Sequence, residues 1–395
     1  MDLDLSDEQI LLEESINTLL DRRWPPAESA WQAGDAERAR LWESLAEFGL
    51  FGGGADSALG AIELCLAARA LGSHLASAPV LGSVAVRYAL APFASDVPPS
   101  FGALLDSDSR VSIGVLEPGG GWSVSDTRAT VESGRLTGTK AAVEHAAEVD
   151  YLAVVARVDG EPALALVPCA SAGIAVTPQS GLDGTVPLSR AAFANAEADA
   201  IVGHELAEPI VDRMITVAVL LAAAEAVGAA GAVFARACQY ASERRQFGRT
   251  IGSNQALRHL MADLHVRQAS SWSTTLFAAA ALDDGIPGAS QTASVAKAFV
   301  SRAAREVAHG SMQVFGGIAF TDEHSAHRFL RRIIVREQQF GDAAHHERTL
   351  GRALANAASH AAASHPAGSH PAGSPRPPGS YPQREGGPAA TVTAR

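Results

Sequence analysis

Two segments of this chain carry residue types suited to gripping a phosphate. Arg244-Arg245-Gln246-Phe247-Gly248 closes a long Ala-rich helical pattern, and Gln313-Val314-Phe315-Gly316-Gly317 answers it much later. Arginine offers a charged, fork-shaped donor to phosphate oxygens, and glycines let a backbone approach a ligand closely. Gln255, shortly after the first segment, adds an amide. Simpler readings exist for each alone: Arg244 pairs with Glu243 or a neighbour, and Gly316-Gly317 ends a helix. The paired occurrence favours a shared ligand. Histidine pairs 324/327 and 345/346 lack the carboxylate and cysteine company of a metal site, and no structural metal is expected.

Helical patterns must position these segments. Ser6 with Gln9 three residues later reads as a capping box ahead of Ile10, Leu11, Leu12, Ile16, Leu19 and Leu20. Further helical patterns run over Leu41–Phe48 and Ala61–Leu71, predicting an all-helical region over 1–105. Short β-rich runs then appear at 111–115, 151–156, 163–167 and 174–176, predicting a small β-domain over 106–205. Long helical patterns return over 210–245, 254–283, 289–314 and 322–354, predicting a four-helix bundle over 206–358. From 359 to 395 the composition turns to Pro, Gly, Ser and His, which predicts a disordered tail because so little apolar surface can offset the entropy of ordering.

With 395 residues, 47% hydrophobic and 19% charged, the chain can bury more than one core. The net charge of −12 and the lack of a dense basic tract with interleaved aromatics argue against nucleic acid. Cys65, Cys169 and Cys238 are widely spaced and read as reduced core thiols. The acidic N-terminus shows no secretory pattern, and the longest apolar run, 215–224, is too short to span a bilayer. A cytoplasmic protein without a membrane partner is expected.

The two segments, in this order and with these flanks, resemble the acyl-CoA dehydrogenase family from about Asp4 to about Leu354. The resemblance implies that family's fold: an N-terminal all-α domain, a small middle β-domain and a C-terminal four-helix bundle. It also implies FAD and an acyl-CoA substrate, desaturated when a carboxylate takes the α-proton and the β-hydrogen leaves as hydride to the flavin. Electron-transfer flavoprotein is the implied acceptor. Arg244, Phe247, Gln255, Gln313, Gly316 and Gly317 fall where the family holds the diphosphate and adenosine of an FAD bound mainly by the neighbouring subunit.

The family's catalytic glutamate is absent from both of its usual places, which here hold Ala218 and Phe340. Asp342, two residues beyond Phe340, is the best substitute. Glu225 lies on the same helix face as Ala218 but about 10 Å further along. Glu337 and Glu347 read as surface or interface charges. The segments that line the flavin ring in the family also depart, with Leu116 for Thr, Trp122 for Ser, Ala142 for Trp and Glu144 for a hydroxyl, although the turn Glu117-Pro118-Gly119-Gly120 survives. An extra carboxylate beside a flavin, as Glu144 would be, opposes the negative charge that builds on the reduced ring.

The losses fall on what a subunit does for its own flavin, and the retained residues on what it does for its neighbour's. The chain thus resembles the non-catalytic subunit of heteromeric members known from bacterial breakdown of steroid-like acyl-CoAs. The implied partner is a related subunit carrying the catalytic Glu, in a heterotetramer of two copies of each. Alternatives are a homomeric dehydrogenase with a base relocated to Asp342 or Glu225, and a flavin-free acyl-CoA-binding or scaffold protein.

Overall fold

Serine at the start of the first helical pattern does what its spacing predicts: Ser6 accepts the Gln9 N–H at 3.2 Å and the Gln9 side chain accepts the Ser6 N–H at 3.0 Å. That box opens α1 (Asp7–Arg23), followed by α2 (Asp35–Glu47), α3 (Ala61–Ser73), α4 (Val80–Leu90) and the short α5 (Pro99–Ala103). The computed structural model describes residues 3–51 and 59–364, without the side chains of 204 and 358–364. Residues up to Gly351 form one compact unit and the chain from Arg352 a second.

Eight strands follow: β1 (Val111–Gly114), β2 (Thr130–Glu132), β3 (Arg135–Glu144), β4 (Tyr151–Val158), β5 (Glu161–Pro168), β6 (Ile174–Gln179), β7 (Leu188–Glu197) and β8 (Ala200–Val202). They form one sheet in the order β6-β7-β3-β2-β4-β5-β8, with β1 added in parallel to β4. Successive residues of β4 and β5 face opposite ways, so Ala153, Val155, Leu164 and Leu166 join the core shared with the helices. Leu152, Val154, Ala165 and Val167 face the second core enclosed by the strands. A register shift between Lys140 and Val143 bulges β3 against β7, and Ala142 sits there with a φ of 50°.

The chain then enters α6 (His204–Glu243), a hairpin of β9 (Arg245–Gln246) and β10 (Arg249–Thr250), and α7 (Gln255–Asp283), α8 (Ala289–Phe315), α9 (Ala326–Gln338) and α10 (Ala343–Ser364). Helices α6, α7, α8 and α9 pack on one another as a bundle. The helical pattern over 322–354 is thus two helices. Phe340 and Gly341 break it with φ of 56° and 105°. The alanines of 218–230 serve close packing: a Cβ on Gly228 would sit 1.9 Å from the Arg69 carbonyl oxygen of α3.

Two expectations need correction. Glu205–Glu243 is long and apolar enough to cross a membrane, whereas the run at 215–224 taken alone was too short. Its apolar window is 89% buried inside the protein, which accounts for the composition. The tail expected from 359 begins as helix, because α10 reaches Ser364. Residues 365–395 lie outside the described residues.

Candidate functional site

Three segments distant in sequence converge on one cleft, walled by Trp122, by Ala141, Ala142 and Glu144 of the β3 bulge, and by Gln339 and Phe340 of the break between α9 and α10. The turn before Trp122 is anchored from below. Glu117 is buried against Lys140 at 2.8 Å and accepts the backbone N–H groups of Arg128 and Ala129 at 3.0 and 2.9 Å. Burial would raise the Glu117 pKa, but Lys140 and those N–H groups outweigh it and hold it at about 2. Gly119 then turns with a φ of 70°, and Ala141 N–H donates to Leu116 O at 2.8 Å, tying the turn to the bulge.

Trp122 and Phe340 meet across this cleft with ring centroids 5.2 Å apart. The resemblance implies a flavin-side serine and a catalytic glutamate at these two positions, and the two aromatic rings here fill one space together. The cleft that remains is about 20 Å³. Sites for ligands of drug or cofactor size run to about 300–1,000 Å³, so an isoalloxazine ring does not fit here.

The extra carboxylate, Glu144, is paired. Arg336 meets both of its carboxylate oxygens at 2.8 Å, and Gln339 donates to it at 3.2 Å. Burial alone would push the Glu144 pKa up, but the Arg336 guanidinium holds it at about 2. The pairing continues inward. Arg336 also lies 2.8 Å from Glu225, whose other oxygen accepts from Arg332 at 2.6 Å. Arg332, fully buried, also bonds Asp183 at 2.5 Å, Thr185 Oγ1 at 2.5 Å and Ala76 O at 2.9 Å. The result is a buried ladder, Asp183–Arg332–Glu225–Arg336–Glu144, joining the sheet to α6 and α9. Sequence reading missed its arginines, and the signal was their spacing: Arg332 and Arg336 lie three and seven residues after Phe329, on the face that Phe329 and Ile333 bury.

Neither relocated base survives this geometry. Glu225 has each oxygen engaged by a guanidinium. Asp342 caps α10, accepting the His345 N–H at 2.8 Å, and does not wall the cleft. Ala218 is fully buried in α6. Glu347 pairs with Arg302 at the surface as expected, whereas Glu337 is buried beside Arg305 rather than displayed.

The phosphate-gripping segments are arranged differently. Tyr240 of α6 and Phe315 of α8 pack with ring centroids 5.3 Å apart, bringing the two segments side by side. Arg244, Gln255, Gln313 and Gly317 are exposed, and Phe247, at the hairpin tip, is fully so with a φ of 52°. Arg244 makes no ion pair with another described residue, so its pairing with Glu243 does not occur; Glu243 bonds Gln239 instead. Gly316 does end α8, with a φ of 71°, and Gly317 follows with no atom within 4 Å of where a side chain would begin. The surface is open and carries the Arg244 guanidinium and two adjacent glycines, groups whose chemistry suits a diphosphate.

The family model for the acyl-CoA dehydrogenase C-terminal domain matches residues 209–371. FadE27 of Mycobacterium tuberculosis is 29% identical over 332 residues, 80% of this chain and 88% of the relative. Residues 209–371 match the C-terminal domain of the acyl-CoA dehydrogenase family, and the chain as a whole is similar to its members. IpdE2 of Mycolicibacterium smegmatis is 42% identical over 125 residues, but this match spans only 38% of IpdE2 and 31% of this chain. Among solved structures, the ChsE4–ChsE5 complex of Mycobacterium tuberculosis superposes with a TM-score of 0.79 at 25% identity, covering 90% of this acyl-CoA dehydrogenase homologue and 99% of that chain. The fold is therefore the family's, from N-terminal helices through the β region to the helical C-terminal region.

Proposed function

We propose that this chain is the non-catalytic subunit of a heteromeric, FAD-dependent acyl-CoA dehydrogenase and completes a flavin site whose ring, base and acyl-CoA belong to a related partner. The observation that carries this reading is the contrast within one chain. Trp122 and Phe340 close its own cleft, while Arg244, Gln313 and Gly317 stand exposed on two segments that the Tyr240–Phe315 contact brings together. When bound, FAD supplies hydride acceptance. This chain's part is to hold the diphosphate and adenosine, through the Arg244 guanidinium and the backbone of Gly316-Gly317. The likeness to one chain of a two-protein complex supports the heteromeric assembly. Electron-transfer flavoprotein as acceptor and a cytoplasmic setting belong to the same reading.

The test is the visible spectrum of the chain purified alone and co-purified with a dehydrogenase-like partner from its genomic neighbourhood. A colourless chain and a yellow complex with one flavin per pair of unlike subunits is the expected result. A yellow chain that bleaches alone with an acyl-CoA would establish a homomeric enzyme instead. A colourless complex that still binds CoA would leave a flavin-free scaffold.

A further inference from the structure

Beside the charge ladder lies a cluster that the flavin reading does not use. Ser77, in the loop between α3 and α4, places its Oγ 3.2 Å from His145 Nε2. His145 follows β3 with a φ of 53°, and its Nδ1 lies 3.0 Å from Glu148 Oε2. Glu148 is in turn held by Arg38 of α2, whose Nε lies 3.0 Å from each carboxylate oxygen. Nucleophile to base and base to carboxylate are thus both within hydrogen-bond reach, in the order that activates a serine. A carboxylate on Nδ1 fixes the tautomer, leaving Nε2 to accept the serine proton.

Two further observations separate this cluster from a merely satisfied core histidine. Ser77 lines a cavity of about 20 Å³ whose other wall is apolar, including Leu64, Leu71, Val84 and Leu221. Arg336 lines the same cavity, is buried, and its Nε has no hydrogen-bond partner. The other charged groups nearby are spoken for: Glu144, 3.8 Å from His145 Nε2, has both oxygens on Arg336, and Glu225 is held by Arg332 and Arg336.

We propose that Ser77, His145 and Glu148 form a hydrolytic site for short acyl esters and thioesters, independent of flavin. Ser77 Oγ attacks the acyl carbonyl and passes its proton to His145 Nε2. The C–S or C–O bond breaks, and the leaving thiol or alcohol takes that proton. Water, deprotonated by the same nitrogen, then cleaves the acyl-serine to the free acid and restores Ser77. Arg336 Nε–H is the donor available to the oxyanion. Glu148 is a positioning residue that orients the ring. The cavity has room on the order of a single water, so even the smallest acyl group enters only as its apolar walls give way.

The experiment treats the full chain with a small fluorophosphonate and maps the adduct, then follows p-nitrophenyl acetate and acetyl-CoA hydrolysis against pH. One adduct on Ser77, suppressed by acetyl-CoA, is expected. Ser77→Ala should abolish both adduct and turnover, and Glu148→Gln should slow labelling at least about tenfold and move the pH profile, as loss of base orientation does. Peptide mapping of the unmutated chain decides the matter even where a variant fails to fold. Native protein with Ser77 unmodified, or hydrolysis that survives in Ser77→Ala, would overturn the proposal. Neither result bears on whether the partner complex carries flavin.

Discussion

Phe340 and Trp122 act as a pair, and this decides what a single reversion can achieve. Phe340→Glu puts a carboxylate where the resemblance implies the family's base, yet leaves Trp122 facing it across the cleft. Its new charge would face an aromatic ring in a tight cleft that the Glu144 carboxylate also walls, at a cost of roughly 1–3 kcal/mol for an imperfectly satisfied polar group. The expected outcome is a less stable chain, by urea denaturation, that still does not bleach with acyl-CoA when purified alone. Turnover by this single variant would show that the cleft opens. Arg336 makes the opposite case, because its removal strands Glu144 and leaves Glu225 with Arg332 alone. Arg336→Met should therefore cost about 3–5 kcal/mol in the same measurement, well above a surface ion pair.

The element that places these residues is the break between α9 and α10. Gly341 has a φ of 105°, and a Cβ there would sit 2.5 Å from the His345 ring. Gly341→Ala should destabilise the chain by about 1–3 kcal/mol, read as a lowered Tm, whereas Gly351→Ala, with open space around it, should not. This break was half legible in the sequence. The helical pattern over 322–354 hid it, since apolar spacing continues across it, and only the family resemblance put a loop at Phe340. Strands β4 and β5 were legible because burial on both faces makes them continuous apolar runs. Strands β3 and β7 were not, since polar residues alternate with a bulge and no apolar run forms. For the site, the lack of a carboxylate at 218 and 340 could be read from residue types. The ladder could not, because pairing Glu144 with Arg336 depends on where the bulge aims a side chain 192 positions away.

Across the whole molecule the ladder couples sheet, α6 and α9, so its titration is a property of the fold. The Glu144 pKa is depressed from 4.5 to about 2, burial opposing and Arg336 prevailing. A depressed carboxylate contributes stability that is complete above its unfolded pKa and lost as pH falls through the folded one. Stability should therefore hold at neutral pH and decline from about pH 4.5 towards pH 2, by on the order of 3 kcal/mol from this group. Glu144→Gln should flatten that limb in denaturation measured across pH. The exposed hairpin behaves otherwise. Arg244 and Phe247 contribute little to the core of their own chain, because both are exposed and Phe247 wholly so. Arg244→Ala with Phe247→Ala should leave the isolated chain within about 0.5 kcal/mol of its original stability, as surface changes do. In the complex the same pair should lower the flavin-to-protein ratio after gel filtration, since a guanidinium on a diphosphate supplies charge-assisted bonds that no neighbour replaces. The two readouts together separate a surface kept for a neighbour's cofactor from one that merely folds. Unaltered flavin retention with unaltered stability would mean that the hairpin serves something other than the shared dinucleotide.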